Sequence, residues 1–159
     1  MLWVIAADKA LTRDDKPLSA ERQQQRKEDW LQLHDQATQG IPGLLPLVRG
    51  MPVRFTETTD REKAIFKNSR GVLHGWDLQD VDEERVRGTD DPEVVLSMMP
   101  KHLLVHFHNA TWKVDGLPQG VYSLKPVWRV WTLDRAGNMK VRRYGFAIVP
   151  DFALSLIHI

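Results

Sequence analysis

Cysteine is absent from this 159-residue chain, which excludes disulfides and thiolate metal sites and fits an intracellular compartment. No apolar run approaches the ~18 residues of a membrane-crossing helix. The opening Met1-Leu2-Trp3-Val4-Ile5-Ala6-Ala7 is too short for the apolar core of a signal peptide, and no basic flank precedes it. None of the ten glycines is followed by lysine, so the phosphate-cradling loop G-x-x-x-x-G-K-[ST] is missing. There is no G-x-S-x-G elbow and no suggestive order of Ser, His and Asp. Adjacent acids occur at Asp82-Glu83-Glu84, but no apolar strand precedes them to make a magnesium-holding pair. These residues alone support no hydrolase.

What is present is a globular composition, 42% hydrophobic, with a net charge of +1. That near-neutral total hides a segregation. Residues 1–46 carry 6 basic and 7 acidic side chains, residues 47–76 carry 6 and 3, residues 77–100 carry 2 and 8, and residues 101–159 carry 8 and 3. Two basic segments therefore flank an acidic one, and basic patches attract phosphate backbones.

The chain opens on a short strand, Leu2 to Ala6, followed by a polar turn at Thr12–Pro17. Ser19 is placed to cap a helix from Ala20 to about Thr38, which Gly40 stops. Only its second half carries an apolar face, Trp30, Leu33 and Ala37, so its first half is expected to project into solvent. From Leu47 onward the period becomes two. Val53 and Phe55, Gly71 to Trp76, Leu103 to Phe107, Val127 to Leu133, Met139 to Tyr144 and Phe146 to Val149 read as strands. Turns fall at Asn68–Gly71, Asp115-Gly116, Pro118–Gly120 and Asp134–Asn138. Short strands at this spacing predict a small barrel or a strongly bent sheet. The acidic stretch Asp77–Asp91 reads as a solvated loop or short helix.

Three groups of side chains invite chemistry. His102, His106 and His108 share one strand face. They could hold zinc or copper, but no carboxylate or cysteine lies at ligand spacing, and a His-rich strand face is the simpler reading. Trp128-Arg129-Val130-Trp131 is read with Arg129 and Trp131 on opposite faces, and Arg142-Arg143-Tyr144 is read in the same way. Rings beside guanidinium groups can stack bases and neutralise phosphates, although core packing explains the tryptophans equally well. The basic segments supply Arg49, Arg54, Lys67, Arg70, Arg142 and Arg143 as candidate DNA contacts.

At Leu45 the sequence becomes familiar. Leu45-Pro46-Leu47-Val48-Arg49-Gly50-Met51-Pro52-Val53-Arg54-Phe55 resembles the "L-x-L-x-x-G-x-x-V-M-L" strand of the petite-integration-frequency (PIF) family of superfamily-one helicases. Lys67-Asn68-Ser69-Arg70-Gly71-Val72-Leu73 resembles that family's "N-G-x-R-G-x-V" turn. Arg142 to Ala153 resembles the strand leading into "A-x-T-x-H-x-x-Q-G", which touches nucleic acid and the nucleotide site in these enzymes. Thr58 stands where the family often has Asn, and Asn68 where it has Gly. Asn is the non-glycine residue best able to take positive φ, so the turn is expected to survive.

The resemblance implies a fragment of an ATP-dependent DNA helicase with a role in repair or recombination, working in the nucleus or another DNA-containing compartment. It implies a mainly β chain with an N-terminal helix, in which a small β-barrel is inserted in part of a RecA-like α/β motor domain. The intact enzyme would use ATP and magnesium, bound by a first motor domain upstream. This fragment would bind neither, and would contribute grip on single-stranded DNA. Residues 1–42 would form a strand and helical arm, and residues 43–153 the barrel and partial second motor domain. Leu154-Ser155-Leu156-Ile157-His158-Ile159 is similar to what a common transposon-end sequencing adapter encodes, so the natural protein is expected to continue past Ala153. Two other readings remain open: a stand-alone nucleic-acid-binding β-barrel, or a protein-interaction module whose polar helix and acidic loop make the contacts.

Overall fold

The computed structural model describes residues 1–11, 40–132 and 140–151. The expected polar turn at 12–17, the helix over 20–38, the turn at 134–138 and the segment 154–159 lie outside the described residues.

Among the described residues, eleven strands and one helix follow in chain order. They are β1 (Leu2–Ile5), β2 (Ala7–Leu11), β3 (Leu44–Leu47), β4 (Pro52–Phe55), β5 (Arg70–Asp77), α1 (Asp80–Arg87), β6 (Val94–Val95), β7 (His102–His106), β8 (Val121–Leu124), β9 (Val127–Thr132), β10 (Lys140–Gly145) and β11 (Ile148–Pro150). They form three sheets, ordered β3-β1-β6, β2-β10-β9 and β11-β4-β5-β7-β8.

The period-two pattern explains the core. Val53 and Phe55 of β4, Leu73 of β5, and Leu103 and Val105 of β7 are fully buried, and they pack with Leu45 and Leu47 of β3. Burying one such side chain contributes about 1.5–3 kcal/mol. A register shift between Leu73 and Gly75 bends β5 against β7. At Gly75 an added Cβ would lie 2.8 Å from an Arg49 guanidinium nitrogen, so the bend brings that side chain onto the strand. The turn between β4 and β5 contains Asn68 at φ 74°, the positive angle expected for a residue at this position.

Two expectations about architecture are corrected. Among the described residues no closed barrel forms, because closure requires the outer strands to pair with each other. The five-stranded sheet instead ends in β11 and β8, and each three-stranded sheet keeps its own edges. Nor do the described residues show a RecA-like α/β domain. Such a domain needs parallel strands joined by crossover helices. Here the one described helix has eight residues, and the one parallel pairing, β1 with β6, spans two residue pairs. All four neighbouring pairs along the large sheet are antiparallel.

The acidic stretch does contain a short helix, α1, but Asp82 within it is buried at 1% exposure. Its carboxylate accepts the Ser97 amide at 3.0 Å and hydroxyl at 2.7 Å, the Met98 amide at 2.9 Å and an Arg85 guanidinium N–H at 2.8 Å. Burial alone would raise its pKa, but the hydrogen bonds from Ser97, Met98 and Arg85 outweigh burial and hold it below the usual carboxylate range. Asp82 therefore pins the segment after β6 to the helix.

Candidate nucleic-acid interface

The sheet β2-β10-β9 has one dry face and one wet face. Residues of Val127–Thr132 are β-branched or aromatic at most positions, which favours an extended strand. Register places Tyr144 opposite Trp128, Arg142 opposite Val130 and Lys9, and Lys140 opposite Thr132. Because side chains alternate, Lys9, Lys140, Arg142, Tyr144, Trp128, Val130 and Thr132 share the wet face. It holds three cations and, among the described residues, no carboxylate.

At its centre the Trp128 and Tyr144 rings stack at 4.6 Å between centroids, with planes 22° apart. The Arg142 guanidinium lies 4.6 Å from the Trp128 ring centroid. Trp128 nevertheless remains 48% exposed. A half-exposed indole, fixed by a neighbouring ring and flanked by cations, offers a π surface to a base and positive charge to the adjoining phosphates.

The dry face has a different chemistry. Arg143 is fully buried, and its guanidinium donates to both Asp8 carboxylate oxygens, at 2.6 and 2.8 Å, and to the Ile41 carbonyl at 3.0 Å. Arg129, on the same side but partly exposed, makes a two-point contact with Glu57 at 2.9 and 2.6 Å. Arg129 and Trp131 are two residues apart and lie on the same side of β9, not on opposite faces. Arg142 and Tyr144 likewise share a side of β10.

The six candidate DNA contacts thus do not form one patch. Arg142 is on the wet face, whereas Arg143 is in the interior. Arg54 and Arg70 are register partners on the outer side of β4 and β5. Arg54 donates to Asn68 Oδ1 at 3.0 Å, and Arg70 pairs with Asp151 at 3.3 Å. Lys67 is exposed in the turn between those strands. Arg49 lies 4.5 Å from the Trp76 ring centroid and donates to the His74 carbonyl at 3.2 Å. Lys9, Lys140, Trp128 and Tyr144 are additional members of the wet face. The parity of positions 128, 142 and 144 in paired strands is the signal that identifies them.

Of the three histidines, His102 stands apart, while His106, the last residue of β7, meets His108 just beyond the strand. His102 sits 3.6 Å from Asp77, whereas His106 contacts the rings of His74 and His108, at 6.4 and 5.0 Å between centroids. Among the described residues no cluster of three or more His, Cys, Asp or Glu side chains is arranged to hold a metal ion. Asp82, the leading acid of the adjacent acidic run, does not fit a magnesium site, because both carboxylate oxygens are engaged by Ser97, Met98 and Arg85.

No protein-family model matches the chain, and no curated protein sequence does. Solved structures that it resembles include Pif1 helicases. That of Candida albicans has a TM-score of 0.46 and 17% identity, over 93% of this chain and 28% of the other. Two coordinating Pif1 helicases described as unwinding forked duplex DNA give 0.38 and 10%, over 83% and 26%. Unliganded Pif1 from Bacteroides sp gives 0.39 and 10%, over 83% and 28%. The chain spans about 28% of the length of the first of these. At these values the likeness does not establish membership of the family.

Proposed function

We propose that this chain is the strand-gripping part of an ATP-dependent DNA helicase, and that it holds single-stranded DNA on the wet face of β2-β10-β9. The observation that carries the DNA-binding reading is the half-exposed Trp128, stacked on Tyr144 and flanked by Arg142. The helicase reading rests on the ordered motifs from Leu45 to Ala153, and Asn68 supports it by taking the backbone angle that the turn motif requires.

In this reading ATP and magnesium are bound by other parts of the intact enzyme. The chain has no lysine after any glycine, and Asp82 serves as a structural acceptor. The 159 residues alone should then bind single strands without turning over ATP.

Fluorescence anisotropy with labelled oligothymidylate tests the grip. Stacking on an aromatic contributes about 1–3 kcal/mol per base, so Trp128→Ala should weaken binding roughly 5- to 150-fold. Unchanged affinity in a folded Trp128→Ala variant would remove this face as the binding site.

A further inference from the structure

Tyr144 has a second neighbour besides Trp128. It forms one wall of a groove of about 460 Å³, whose other walls include Met98, Met99, Lys101, Lys125 and Pro126. The wet face and this groove are therefore continuous through one ring.

The groove is held in shape by hydrogen bonds to its backbone. Asp82 fixes the Ser97 and Met98 amides, and the Lys101 amide donates to the Asp77 carbonyl at 2.8 Å. The Gln79 side chain donates to the Met99 carbonyl at 3.5 Å. Met98 stays 50% exposed although its amide is anchored, so an apolar, polarisable side chain is presented to solvent at a fixed place. Lys101 and Lys125 are exposed on the groove walls. Lys101 Nζ is 3.9 Å from an Asp80 carboxylate that is itself almost fully exposed, a pairing that water weakens.

We propose that this groove is the continuation of the single-strand path, a step that rests on the reading of the wet face given above. The strand leaves the Trp128–Tyr144 pair past Tyr144. Lys101 and Lys125 then take successive phosphates, while Met98 packs against a sugar or base. The alternation of cations with apolar side chains is the chemistry of a single-stranded polynucleotide, which carries charge and a flat apolar group in every repeat. A trinucleotide is held by the aromatic pair, and longer strands also engage the groove.

Anisotropy titrations of the full chain with a trinucleotide and with a twelve-nucleotide oligothymidylate, across a salt series, separate the two sites. Each phosphate contact with a single strand contributes about 0.7 to the slope of log affinity against log salt. Lys101→Ala with Lys125→Ala should flatten the twelve-nucleotide slope by about 1.4 and leave the trinucleotide slope unchanged. Arginine at both positions should restore the parent slope. Trp128→Ala should weaken both oligonucleotides. If the double alanine variant keeps the parent slope while Trp128→Ala still weakens binding, the groove is not on the path and the wet-face reading stands. If no oligonucleotide binds the parent chain at low salt, both fall.

Discussion

Arg143 and Asp8 face each other in register across β10 and β2, joined by two guanidinium–carboxylate hydrogen bonds at 2.6 and 2.8 Å and closed off from solvent. The third donor of Arg143 reaches the Ile41 carbonyl, so one side chain ties β10 to β2 and to the segment entering β3. A two-point pair of this kind fixes orientation as well as charge. Removing either partner strands a buried charge, which costs about 3–5 kcal/mol. Arg143→Ala and Asp8→Ala are each expected to destabilise the fold by that amount in urea denaturation. Their effects should be strongly non-additive in the double variant, because the second removal no longer strands a charge. Additive losses would show that the two residues stabilise the fold through separate contacts.

A second prediction concerns acid. The hydrogen bonds from Ser97, Met98 and Arg85 hold the Asp82 pKa below its ordinary value against the opposing effect of burial. A group depressed on folding stabilises the folded state at pH above its unfolded pKa, near ~3.9 for Asp. That contribution is lost as pH falls through the lower folded value. Melting temperatures measured from neutral pH down into the acid range should therefore show an Asp82-dependent fall only below about pH 4. Asp82→Asn should be less stable at neutral pH by about 1–3 kcal/mol. The gap between parent and variant should then narrow as acid protonates Asp82. A gap that widens in acid would contradict the assigned shift.

Much of this was legible in the sequence where alternation is clean. Val53 and Phe55 mark β4, and Leu103 and Val105 mark β7, because only one face of each strand meets the core. Strand β3 is obscured by Pro46, which breaks the usual strand composition. Its position at the edge of β3-β1-β6 makes a missing N–H tolerable. Strand β2 is obscured because Asp8 points inward, and only its long-range partner Arg143 makes that acceptable. The same separation of 135 residues conceals the pairing of the two sites from any local pattern. The grouping of strands into three sheets, in place of one barrel, depends on such distant pairings. At the candidate site, charge density identified Arg142 and Arg143 together. Strand parity separates them, since Val141 and Arg143 face inward with Trp131 whereas Arg142 faces outward with Trp128.

That separation makes a third prediction. Arg142→Glu should leave the melting temperature nearly unchanged, as expected for a surface substitution, and should weaken single-strand binding with a shallower salt slope, by about 0.7. Arg70 belongs to the five-stranded sheet, where it pairs with Asp151, so Arg70→Glu should have little effect on binding to the wet face. Equal losses of affinity for both variants would mean that the strand path runs over β4 and β5 as well.

The last prediction compares two glycines with left-handed backbone. Gly50 has φ +85°, and an added Cβ would meet nothing within 4 Å. Gly120 has φ +78°, but an added Cβ would lie 2.7 Å from the Phe107 carbonyl oxygen and 3.4 Å from Ala110 Cβ. Gly120 also closes the loop onto β7, since its amide donates to the Trp112 carbonyl and its own carbonyl accepts the Phe107 amide. Both substitutions to alanine incur the left-handed strain, about 1–2 kcal/mol. Only Gly120→Ala adds a collision with backbone, which cannot swing aside as a side-chain end can, and such overpacking costs a further 1–3 kcal/mol or so. Asparagine tolerates positive φ, so Gly50→Asn should recover most of the parent's stability and Gly120→Asn should not. Urea denaturation of the four variants decides the matter. If Gly120→Asn is as stable as Gly50→Asn, the β7–β8 loop yields to the added atoms, and the close approach of Gly120 to Phe107 does not hold that loop in place.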